Sequence, residues 1–117
     1  MSNEEQAEFM GRIKKLIASQ PVCIIGIMHM RKPSDKRNPH DVSEFDIYGS
    51  STAIKSAHTV MLLSRDKLAE DEEERNTTRV KITKNRNTGR TGRMNDVLYD
   101  TRTGRLKEVK WENKWVT

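Results

Sequence analysis

The sequence predicts an α/β fold, the C-terminal part of a layered sheet whose parallel strands continue into an antiparallel meander. Three observations carry this reading. An amphipathic helical stretch is followed at once by a continuous apolar run, Val22-Cys23-Ile24-Ile25-Gly26-Ile27-Met28. Such a run reads as a strand covered on both faces, the kind that parallel sheets contain. A second apolar run, Thr59 to Leu63, follows a small-residue segment, and short alternating segments parted by turn residues come after it.

Taken in order, Ser2-Asn3-Glu4-Glu5 reads as a capping box, with Ser2 as cap and Glu5 three residues on. Phe9, Met10, Ile13, Leu16 and Ile17 then recur at helical spacing, and Pro21 marks the end of the helix. Its acidic start and basic end suit the helix dipole. The Val22–Met28 run is the first buried strand, and Cys23 within it reads as a small buried core residue. Residues 30–48 are polar, hold Pro33 and Pro39, and read as a long loop of the kind that is often functional. Gly49 to His58 suits a short helix, and Thr59 to Leu63 a second buried strand. Asp66 to Glu74 carries six acidic residues and one lysine, so a solvated, mobile excursion is expected. Thr78 to Lys84 alternates, with Val80 and Ile82 on one face of a half-buried strand. Asn85 to Arg93 is a loop, Val97 to Tyr99 a strand, Asp100 to Gly104 a turn, and Leu106 to Val109 a last strand.

Bulk composition narrows the options. The chain has 117 residues, of which 33% are apolar and 33% charged, with a net charge of +5. An apolar share of roughly 45–50% is usual, so a complete private core is not expected. The basic balance fits an acidic partner such as nucleic acid. A single cysteine allows no internal disulfide and no zinc spacing, and no metal site is expected. The apolar runs are too short to span a membrane and the N-terminus is no signal peptide, so the expected location is the cytoplasm.

Few residues suggest chemistry. His29 ends an apolar strand, where α/β sheets bind ligands, although a histidine capping a strand at the surface meets the same description. The stretch KITKNRNTGRTGR carries Lys81, Lys84, Arg86, Arg90 and Arg93 and no acid. Crowded cations are compensated by a phosphate or by solvent, and composition does not choose between them. Arg31, Lys32, Lys36 and Arg37 could grip a phosphate backbone, or form an ordinary charged loop. No nucleophile with its base is recognisable. There is no G-x-x-x-x-G-K-[ST] and no aspartate ending an apolar strand ahead of His29, so no loop cradles a triphosphate and no motor-type Mg²⁺ ligand is present.

The segments IIGIMHMRKP, FDIYGSSTAIKSAHTVMLLSR, ITKNRNTGRTG and LYDTRTGRL, in this order and spacing, resemble the hexameric replicative DNA helicases. These are the DnaB type, the primase-helicases of T-odd phages and the mitochondrial helicase Twinkle, and the likeness is greatest to the phage type. It runs from about Glu4 to Leu106. It implies a RecA-like P-loop NTPase fold, with residues 1–110 as its C-terminal half and 111–117 as a tail. It implies roles as well. His29 matches the strand-end sensor of the γ-phosphate. Arg86 matches the arginine finger that enters the neighbouring subunit's ATP site, and Lys84 a lysine aimed at the same phosphate. Arg65 and Tyr99 match the pair that sandwiches adenine. Arg31, Lys36, Arg37, Gly49 and Ser50 match loops that grip DNA in the ring channel.

The resemblance thus implies ATP and Mg²⁺ as cofactors and single-stranded DNA as a ligand. It implies a homo-oligomeric ring, a separate N-terminal half with the Walker A loop, and a host-cytoplasm location if the origin is a phage. The isolated chain is not expected to be active. Tyr48 stands where the phage-type pattern has an arginine, and the loop before Asp46 is slightly shorter, which bears on how DNA is gripped. Competing readings are a non-catalytic single-stranded-DNA-binding or helicase-modulating fragment, and a piece of a RecA-like recombinase. The GSSTAIKSA segment and the K-x-R loop favour the helicase.

Overall fold

A computed structural model describes residues 2–30, 38–47 and 51–110. The first element is α1, Asn3–Ser19. The Ser2 side chain accepts the backbone N–H of Glu5 at 3.1 Å, which satisfies one orphan donor of the first turn. At the other end Gln20 is extended, at φ −133° and ψ 148°. Pro21 forces this, because its ring clashes with a helical residue before it. Glu4 and Glu5 complement the dipole, but the last turn holds no cation, since Lys14 and Lys15 fall one turn too early. α1 packs against α2, Ser51–Ser56, yet Phe9 and Leu16 on its apolar stripe remain exposed.

The first expected strand does not form. Residues 22–29 make neither helix nor ladder, and Ile25 and Ile27 are 85% and 92% exposed. Cys23 is exposed as well, against the expectation of a core cysteine. Apolarity says that a segment gains by burial, but not which surface buries it. Among the described residues no strand is placed to pair with this run. Just beyond the run, Met30 forms an isolated antiparallel bridge with Ile47, outside the named strands. That bridge closes the base of the long loop, whose described part holds a single 3₁₀ turn, Glu44–Asp46.

The remaining strands form one sheet. They are β1 Thr59–Arg65, β2 Thr77–Asn85, β3 Gly92–Arg93, β4 Asp96–Tyr99 and β5 Leu106–Val109. The order is β1-β2-β4-β5, with β3 also on β2. Every described pair is antiparallel. The meander is therefore present, and the parallel portion expected from the two apolar runs is not found among the described residues. The turns follow residue chemistry. Gly89 and Gly104 adopt φ of 72° and 74°, and the Gly104 N–H closes its turn on the Asp100 carbonyl at 2.7 Å.

β1 is half-buried rather than covered on both faces: Val60 and Leu62 are buried, while Met61 and Leu63 are 54% and 57% exposed. Register explains the division. Leu62 stands opposite Lys81, and Met61 and Leu63 stand opposite Ile82 and Val80. Paired residues share a face, so Leu62 and Val60 lie on one side of the sheet and Val80 and Ile82 on the other. The Leu62 side is covered by the 38–47 segment, where Lys81 Nζ donates to the Val42 carbonyl at 3.0 Å and His40 Nδ1 meets Ser64 Oγ at 2.8 Å. Val80 and Ile82 share one face, as their alternation predicts, and are buried at the sheet centre.

The acidic stretch between β1 and β2 is solvated, as its charge predicts, but it is organised. Asp71 caps a single helical turn, α3 Glu72–Arg75, by accepting the Glu74 N–H at 3.3 Å. Arg75 then donates back to the Ala69 and Glu70 carbonyls at 3.1 and 3.0 Å.

Candidate nucleotide and phosphate site

Arg86 sits on a braced turn that leaves β2. Its backbone N–H donates to the His58 carbonyl at 2.8 Å, which ties the turn to the start of β1. Asn85 Nδ2 donates to Thr88 Oγ1 at 2.7 Å, the Gly89 N–H reaches the Asn85 carbonyl at 2.7 Å, and the Arg90 N–H reaches Thr88 Oγ1 at 3.2 Å. The Arg86 side chain is exposed and meets no acceptor among the described residues. A planar cation whose side-chain donors meet no described acceptor can bond an oxyanion in bidentate fashion.

Lys84 is differently placed. Between Val60 and Met61 the register jumps from Lys84 to Ile82, so Thr83 is an extra residue, a β-bulge. Bulges bend a strand and re-aim the side chains beside them. Lys84 Nζ donates to the carbonyls of Ile54 and Lys55, at 2.9 and 3.0 Å. These are orphan acceptors at the end of α2, where a cation is favoured by the dipole. Lys84 and Arg86 therefore share a strand end, but only Arg86 presents its charge outward.

Arg65 and Tyr99 are brought to one end of the sheet. Arg65 pairs with Thr78, and Thr78 with Val97, two residues before Tyr99, so the two side chains lie on the same face. Both are anchored to Asn76. Arg65 Nη2 donates to Asn76 Oδ1 at 3.0 Å and its Nε donates to the Arg75 carbonyl. The Tyr99 N–H donates to the Asn76 carbonyl at 2.9 Å. Tyr99 is 42% exposed and Arg65 is exposed, so both could meet a base. Beside Tyr99 a hollow is lined by Glu72, Glu73, Asp100 and Lys107, with Lys107 Nζ 3.5 Å from Asp100. The Asp100 carboxyl is held below its ordinary pKa, first by the Arg102 backbone N–H. Such an acidic lining repels a triphosphate and tolerates a neutral base.

His29 is exposed and follows the unpaired 22–28 run rather than a strand. The Met30–Ile47 bridge brings the start and the end of the following loop together, next to His29. Arg31, Lys36, Arg37, Gly49 and Ser50 lie outside the described residues, as do Tyr48, Trp111 and Trp115.

Two arrangements were not visible in the sequence. Arg93, counted among the basic loop cations, is a structural residue: its Nη2 bonds both carboxylate oxygens of Asp96 at 3.1 Å. Asp96 is fully buried. Their spacing of three would have allowed the pair to be guessed, but not the burial. The second is His40, at a hollow also lined by Asp71, Glu73, Glu74, Thr77 and Arg79. Burial and then Arg79 hold its pKa below the ordinary value, while Asp66 and Glu74 act the other way. No group of acidic, histidine and cysteine side chains among the described residues could hold a metal ion. No helix among them is long and apolar enough to cross a membrane.

Comparison with the curated proteins found no match. Residues 1–108 match the family model for the DnaB-like helicase C terminal domain. That range takes in the Arg86 turn, the Arg65–Tyr99 end of the sheet and the His29 segment. The chain belongs to the DnaB-like helicase C-terminal domain family, and so is a replicative helicase component.

Proposed function

We propose that this chain supplies the C-terminal half of an ATP-driven helicase motor. In this reading it contributes an arginine finger, Arg86, to the nucleotide held by a neighbouring subunit of a homo-oligomeric ring. The observation that carries the reading is the braced turn that presents Arg86 outward with no side-chain acceptor among the described residues. A guanidinium that serves its own subunit would be expected to have an internal partner. One that serves a neighbour must wait unpaired, and ring assembly then becomes a condition for hydrolysis.

Around that residue the remaining roles follow the family. Lys84 meets the same phosphate, which requires it to leave the α2 carbonyls. His29 senses the phosphate and relays it to DNA through the loop that the Met30–Ile47 bridge closes. Arg65 and Tyr99 hold adenine, and Arg31, Lys36, Arg37, Gly49 and Ser50 track single-stranded DNA. ATP and Mg²⁺ belong to the assembled ring, with the triphosphate loop and metal ligands supplied by an N-terminal half. The chain acts in the cytoplasm.

The test supplies that half and measures ATP hydrolysis with single-stranded DNA present. Arg86→Ala should cut turnover by two or more orders of magnitude, at the lower side of the roughly 10³–10⁵ that such fingers contribute. ATP binding should change little, because the finger acts on transition-state charge. Arg86→Lys should not restore turnover, since an ammonium lacks the planar fork. Mixed rings of variant and normal subunits should be poisoned. Arg90→Ala, in the same exposed turn, should be mild. Equal losses at Arg86 and Arg90 would mean that bulk charge operates here, and the finger assignment would fall.

A further inference from the structure

We infer that Asn76 is the positioning residue of the base slot, holding the Arg65 guanidinium plane at a set place relative to Tyr99. The inference rests on the reading of Arg65 and Tyr99 as base-binding residues and deepens it. Asn76 is the point where three elements meet. Its backbone N–H closes α3 on the Glu72 and Glu73 carbonyls, each at 3.2 Å, and its Nδ2 donates to the Glu72 carbonyl at 3.0 Å. Its carbonyl accepts the Tyr99 N–H at 2.9 Å, and its Oδ1 accepts Arg65 Nη2 at 3.0 Å. The two residues thus take their places from one residue, Tyr99 through its backbone and Arg65 through its side chain.

The way Arg65 is held is informative. Nε and Nη2 form the side edge of the guanidinium, and both are engaged, with the Arg75 carbonyl and with Asn76 Oδ1. Hydrogen bonds from a guanidinium lie in its plane. Two of them along one edge oppose rotation of the group and, being in its plane, occupy neither flat face. A free arginine on a surface would sample many rotamers and lose entropy on stacking. Here that entropy is already lost before a base arrives, so stacking on the face is favoured. The Asn76 side chain is itself held by its own bond to Glu72, so Oδ1 is a fixed acceptor rather than a mobile one.

The experiment is photolabelling of the full chain with 8-azido-ATP, read as the yield of labelled peptide containing Tyr99. Labelling should be competed by ATP more effectively than by UTP, and not by inorganic triphosphate. Asn76→Ala keeps the backbone bonds and deletes both side-chain bonds, the Arg65 acceptor and the donor to Glu72, so labelling should fall at least fivefold and the preference for ATP over UTP as competitor should collapse. Asn76→Asp loses the donor to Glu72 but keeps the Arg65 acceptor, now as a carboxylate that pairs with the guanidinium, and labelling should stay within about twofold of the original. This rescue separates positioning of Arg65 from general support of the fold, and it decides the matter even if Asn76→Ala does not fold. Loss of labelling in Asn76→Asp as deep as in Arg65→Ala would overturn the inference. So would unchanged labelling in a folded Asn76→Ala chain whose labelling still depends on Arg65. A wild-type chain with no label near Tyr99, or one indifferent to Arg65→Ala, would overturn the base-slot reading, and the inference with it.

Discussion

Arg93→Ala should destabilise the chain far more than any other loss of charge from the basic loop. Asp96 is 0% exposed and the Arg93 side chain 18% exposed, and one guanidinium nitrogen bonds both carboxylate oxygens at 3.1 Å. Removing the arginine takes from a buried carboxylate the cation that bonds both its oxygens, and deleting one partner of a buried pair costs about 3–5 kcal/mol. With a urea slope of about 2 kcal/mol per molar, the unfolding midpoint should drop by about 1.5–2.5 M. The control is Arg90→Ala, exposed and three residues away, which should stay within about 0.5 kcal/mol. Adding Asp96→Asn to Arg93→Ala should recover part of the loss, because the buried charge is then gone. Urea unfolding followed by circular dichroism reads all four proteins. Midpoints that fall equally for Arg93→Ala and Arg90→Ala would refute the buried-pair argument and return Arg93 to the set of phosphate-seeking cations.

Three further outcomes are expected. The isolated chain should release no phosphate from ATP, with or without single-stranded DNA, since it holds no triphosphate loop; turnover that copurifies with the chain would contradict this. It should self-associate when expressed alone, because Ile25, Ile27, Leu63 and Leu106 are exposed, at 85%, 92%, 57% and 70%. Ile25→Lys with Ile27→Glu should reduce this self-association in size-exclusion chromatography, and a monodisperse wild-type monomer would count against it. The chain should bind single-stranded oligonucleotides weakly and without sequence preference, with an affinity that falls as salt rises; binding indifferent to salt would remove phosphate contact as its basis.

What the sequence determined by itself is local. The Ser2 cap, the Pro21 stop and the glycine turns at 89 and 104 follow from backbone chemistry within a few residues. So does the strand alternation of Val80 and Ile82. Net charge likewise anticipated that the 66–74 stretch would be solvated. The order of motifs was enough to place the chain in its family, which the match over residues 1–108 bears out. Tertiary structure decided which apolar segments find a surface and which cations find an acid. Val22–Met28 looked like a buried strand, and Cys23 like a core residue, because burial is a property of neighbours that apolarity does not name. Arg93 and Arg86 are the same residue type in the same loop, yet register carries Arg93 to Asp96 while the Asn85–Gly89 turn holds Arg86 away from every described acceptor. Asn76, unremarkable in the sequence, acquires its place because β1, α3 and β4 end at the same point. Sequence spacing allows the Arg93–Asp96 pair but not its burial, and it does not fix the convergence at Asn76, since both of these depend on which strands pair and in what register.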